Sequence, residues 1–171
     1  MKVTSALANK KIKQLEEEKS YWISVERDSR TYTAAIGEEP VVPEYDYRMV
    51  SETIDSIDRK IVALRHAINR ANCENSVETA EGMLTIDALL VRMAQLNQRK
   101  TTLDGMRKTL PKERLGSTAS WGNISKAPEY CYANYDIELA KADYEKINEM
   151  ILSMQLALDK YNQTFEFEIG L

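Results

Sequence analysis

The residues able to do chemistry in this chain are few, and their spacing closes most catalytic routes. His66 is the only histidine, so neither the paired Glu-x-x-His sites of carboxylate di-iron bundles nor zinc sites needing two or three imidazoles can be assembled. Cys73 and Cys131 stand far apart with no CxxC partner, the pattern of free thiols in a reducing compartment. No GxxxxGK(S/T) or GxGxxG occurs, so the standard phosphate cradles are absent. Glu52, Asp55 and Asp58 are spaced by threes, and Glu145 and Glu149 by four, a spacing at which helical carboxylates can hold magnesium. The first three flank the apolar seam of their helix on its outer side, where hydration is the default. The inventory points away from an enzyme, a metal and a cofactor.

A basic and aromatic set is the stronger lead. Arg107, Lys108, Lys112 and Arg114 crowd the end of one helix and the start of a long loop that also holds Trp121. Two strand-like stretches add Arg30 and Tyr32, and Tyr130 and Tyr132. Cations beside aromatic faces can hold a phosphate and stack a base. The same cations also complement a helix dipole, and tyrosines also cover bundle ends. The set is therefore read as a binding site for a small anionic, nucleotide-like ligand, as the alternative to a purely structural role. A net charge of −4 argues against bulk nucleic-acid binding, which needs a net or local excess of Lys and Arg.

The elements that must position these groups are helical. Tyr47, Val50, Ile54, Ile57, Ile61, Leu64, Ile68 and Ala71 step by three and four without a miss, a heptad seam. Ile137, Ala140, Tyr144, Ile147, Ile151, Met154, Leu158 and Tyr161 repeat it. Weaker stripes predict a first helix over 4–28, interrupted by Lys19, and a third from Ile86 with Lys100 as its polar intruder. Asp46 is placed to cap the second helix and Thr85 the third, with Asp87 in its first turn. Pro111 stops the third. The connector after Asn72 reads as polar loop, with Asn69, Arg70 and Asn72 capping the helix that precedes it. Segments 29–45 and 111–134 read as irregular connectors, within which Arg30–Ile36 and Glu129–Ala133 are β-prone and are expected to pair. The close, Thr164-Phe165-Glu166-Phe167-Glu168-Ile169, alternates apolar and charged residues as a strand does. The fold class is thus mainly α: one domain over 1–171, a long antiparallel bundle or coiled coil of about four helices with two or three short strands.

Apolar residues outside the seams point to assembly. Leu84, Leu90 and Val91 open the third helix, and Leu152 and Leu156 close the fourth. A helix apolar on a second face is buried twice. The terminal strand needs an edge to pair with, and the strand-like stretches lie at the opposite end of the bundle. Phe165, Phe167 and Ile169 are therefore expected to pack, with the five residues above, on a neighbouring copy of the chain. A wider intramolecular core is the alternative.

The order INRAN (68–72), the helix start MLTIDALL (83–90), a long loop, and YDIELAKADYEKINEMILSMQLALDKYNQT (135–164) together resemble an uncharacterised bacterial family whose members are labelled septicolysin-like. The resemblance spans 47–165 and implies an all-helical, oligomeric protein; it carries over no catalytic residue. The lysin label implies membrane activity. Against that, no run of about 18 apolar residues is present, and the opening MKVTSALANKKIKQLEEEK turns charged before a signal-peptide core could form. The expectation is a non-enzymatic, self-associating cytoplasmic protein without a membrane partner.

Overall fold

The computed structural model describes residues 2–114 and 129–169. The protein is mainly α: the described residues form four helices and short antiparallel strands in two-stranded sheets. In chain order these are β1 (Lys2–Thr4), α1 (Ser5–Ser29), α2 (Tyr47–Glu74), β2 (Ser76–Thr79), β3 (Gly82–Thr85), α3 (Ile86–Met106), β4 (Lys112–Arg114), β5 (Tyr130–Tyr132), α4 (Ile137–Thr164) and β6 (Glu166–Glu168). They fall into two compact units, one of Met1–Val77, Thr85–Asp87 and Leu158–Leu171, the other of Glu78–Leu84 and Ala88–Ala157.

In the first unit α1 and α2 lie antiparallel, since Glu26, Lys19 and Glu16 meet Tyr45, Asp58 and Arg65 in reversed order. Thr4 caps α1, its hydroxyl accepting from the Leu7 amide at 3.3 Å, and the Asp46 carboxylate caps α2 by accepting from the Met49 amide at 3.1 Å. The core gathers Val3, Ala8, Ile12, Leu15, Ile57, Leu64 and Ile169, with Trp22, Ile61, Ala67, Ile68 and Phe167 packed against it. Ile57, Ile61, Leu64 and Ile68 of the α2 seam supply this surface, as expected of an amphipathic helix, whereas Tyr47 at the start of the seam is exposed. Lys19, the intruder in the α1 stripe, is a bridge: its ammonium holds both Asp58 carboxylate oxygens at 2.6 and 2.7 Å.

The terminal strand corrects the expectation of a partner copy. β6 pairs antiparallel with β1, in the register Lys2↔Glu168, Val3↔Phe167 and Thr4↔Glu166. The edge that the tail needs comes from Lys2–Thr4 of the same chain, of which the sequence pattern places only Thr4, at the start of the first helix. Alternation then points Val3 and Ile169 into the core, at 3% and 4% exposure. The polar connector after α2 is likewise not loop alone. α2 runs on to Glu74, Asn75 caps it, and β2 and β3 form a hairpin whose turn uses Gly82 at φ +102°. The Asn75 carbonyl accepts from the Ile86 amide at 3.0 Å, tying the end of α2 to the start of α3.

In the second unit α3 and α4 run antiparallel, with Lys100 beside Asn148 and Met106 bonded to Tyr135. Leu89, Met93, Leu96 and Leu103 of α3 and Ala140 and Met154 of α4 are buried. Lys100 donates to Asn148 Oδ1 at 2.5 Å while lying 5.7 Å from the centre of the Tyr144 ring, which accounts for a lysine on the seam.

Candidate functional site

The second unit contains Arg107, Lys108, Lys112, Arg114, Tyr130 and Tyr132 of the basic and aromatic set. α3 unwinds through Arg107, Lys108 and Thr109, whose amides donate to Leu103, Gly105 and Met106 carbonyls. Pro111 then forbids further helix, and the chain extends as β4. β5 pairs with it antiparallel in the register Lys112↔Tyr132, Glu113↔Cys131 and Arg114↔Tyr130, and the Ala133 amide donates to the Pro111 carbonyl at 3.2 Å. Side chains alternate across a strand, so Lys112, Arg114, Tyr130 and Tyr132 share one face of this ladder, and Glu113 and Cys131 the other. The Lys112 ammonium sits 4.1 Å from the Tyr130 ring centre and 5.3 Å from that of Tyr132. The two rings are 6.5 Å apart and tilted by 50°.

The helix-end cations are engaged differently. Arg107 stacks 4.1 Å over Tyr144 and reaches Asp104 Oδ1 at 2.7 Å; the Lys108 ammonium meets Asp104 Oδ2 at 2.5 Å. The hydrogen bond from Lys108, then that from Arg107, holds the Asp104 carboxyl below its usual range. One carboxylate thus pairs with two cations and leaves the cluster with one net positive charge. Asp104 is absent from the sequence-derived set, although its i,i+3 and i,i+4 spacing to Arg107 and Lys108 is the signal that would have found it.

Not every expected member joins this site. Arg30 and Tyr32 belong to the first unit, and the Arg30–Ile36 stretch forms no strand: it turns at Gly37 (φ +88°), with the Glu38 amide donating to the Ala35 carbonyl. The partner expected for it, the Tyr130 strand, is taken by Lys112–Arg114, which connects through a shorter stretch of chain. Trp121 lies outside the described residues. His66 is exposed on α2. Asp58, one of the three spaced carboxylates, is committed to Lys19.

The residues expected at a subunit interface divide. Leu90, Val91, Leu152 and Leu156, all in the second unit, are 42%, 55%, 59% and 62% exposed. Leu84, Phe165 and Phe167 are half-buried, and Ile169 is inside the chain's own core. Phe165 stacks on Tyr161 at 4.9 Å. The tail therefore packs within its own chain, while Leu90, Val91, Leu152 and Leu156 keep large exposed surfaces. Among the described residues no helix is long and apolar enough to cross a membrane.

Neither a family model nor a curated protein matches this sequence. The fold is similar to the crystal structure of a functionally unknown conserved protein from Corynebacterium diphtheriae, with a TM-score of 0.65 and 14% identity, over 98% of this chain and 100% of that one. At this identity the likeness concerns the fold alone.

Proposed function

We propose that this protein is a non-enzymatic, self-associating cytoplasmic helical protein, and that its copies meet through the outer apolar residues of α3 and α4. The observation carrying this reading is the exposure of Leu90, Val91, Leu152 and Leu156. Leu152 and Leu156 are one turn apart and share a face of α4. With Lys100 beside Asn148, moving back along α3 to Leu90 and forward along α4 to Leu156 leads towards the same end. Four large aliphatic side chains, each about half exposed, gain about 1 kcal/mol apiece on full burial. A two-fold interface counts each of them twice. The resemblance to the septicolysin-like family carries the same expectation of an oligomer.

Multi-angle light scattering tests the reading. The native chain is expected to run as one defined multimer, and Leu152→Lys with Leu156→Lys to reduce its mass while leaving the far-UV helix signal intact. A native chain that is monomeric at all accessible concentrations overturns the proposal.

A further inference from the structure

One face of the β4–β5 ladder combines cations with aromatic rings. Lys112 and Arg114 alternate on one strand, Tyr130 and Tyr132 on the other, and the register sets each cation opposite a ring. Neither cation makes an ion pair among the described residues, whereas Arg107 and Lys108 next to the ladder are held by Asp104. Glu113, the one acidic residue of the paired strands, is on the opposite face. The chain as a whole is acidic, at −4, but binding to a polyanion is governed by local charge. Here two cations stand together with no carboxylate on their face of the ladder.

We propose that this face binds single-stranded nucleic acid, with unpaired bases stacked on Tyr130 and Tyr132 and the flanking phosphates held by Lys112 and Arg114. The tyrosines are 39% and 61% exposed, and a base stacking on the face over which Lys112 lies displaces that ammonium from the ring. Base–aromatic stacking is tolerant of sequence and tilt because every base has a π-face. Lys112, already poised over both rings, moves only along its flexible stem to meet a phosphate beside a stacked base. All six ladder residues are exposed, so among the described residues nothing encloses a small molecule, and small-ligand sites bury most of their ligand. An extended strand needs no enclosure. A duplex keeps its bases stacked on one another and offers these rings nothing.

The test is fluorescence anisotropy at low salt with a labelled oligothymidylate of about 12 nucleotides. The full chain is expected to bind this single strand and to bind a G·C-rich hairpin duplex of the same length, which stays paired at low salt, at least tenfold more weakly. Two phosphate contacts predict that log Kd changes with log salt by about 1.4. Tyr130→Ala with Tyr132→Ala is expected to weaken binding at least tenfold, since each stacked base contributes roughly 1–3 kcal/mol. Tyr130→Phe with Tyr132→Phe keeps the rings and is expected to retain binding, which separates stacking from any loss of fold. Lys112→Glu with Arg114→Glu should abolish it. Absence of binding by the native chain overturns the proposal. So does equal binding of the duplex, retention by the double alanine variant, or competition by thymidine monophosphate at the same concentration as the oligonucleotide.

Discussion

Replacing Ile169 by alanine removes a side chain that is 4% exposed and lies in the core formed by β1, α1 and α2. Core Ile→Ala changes cost about 2–5 kcal/mol, the range reflecting how far the site collapses around the loss. Ile169 follows a three-residue strand paired only with β1, so the backbone there can settle and the lower end, about 2 kcal/mol, applies. With a urea dependence of about 2 kcal/mol per molar, the unfolding midpoint should fall by about 1 M. Far-UV dichroism during urea titration measures it. Because β6 pairs with β1 of its own chain, the shift should be the same across a hundredfold range of protein concentration. If instead the difference grew on dilution, the tail would be packing on another copy, since mass action makes such stability concentration-dependent. An unchanged midpoint would refute the burial of Ile169 itself.

Leu64, fully buried in α2, and His66, exposed two residues on, test the helical phase: Leu64→Ala should cost about 2–5 kcal/mol and His66→Ala less than about 0.5, read by the same titration. The Lys19–Asp58 pair is 31% and 45% exposed, so a double-mutant cycle with alanine should give a coupling of only about 0.2–1 kcal/mol, shrinking as salt rises. Asp104 is held below its usual range by Lys108 and Arg107, so its carboxylate is favoured in the folded state. That contribution is complete above the unfolded-state value of about 3.9 and is lost as pH falls through the lower folded-state value. A carboxyl NMR titration should place the Asp104 midpoint below that of an unpaired aspartate, and Lys108→Met should raise it.

What the sequence by itself determined is what short-range physics controls. Val50, Ile57, Leu64 and Ala71 are buried in α2 at the positions that the three-four spacing selects, because helical periodicity is a property of neighbouring residues. The Asp46 cap and the end of α3 before Pro111 are equally local. The alternation Phe165-Glu166-Phe167-Glu168-Ile169 announced a strand for the same reason. Its partner was another matter. A strand of three residues states which face is apolar and nothing about which edge it will meet, so the choice of β1 for β6, and of β4 for β5, belongs to the tertiary structure. The two lysines on apolar stripes follow the same rule. Lys19 and Lys100 break the pattern when read along the chain, and only the packing of a second helix supplies Asp58 and Asn148 to receive them. The basic and aromatic residues were legible as a group by type, but which of them share a face was decided by a ladder register that no spacing encodes.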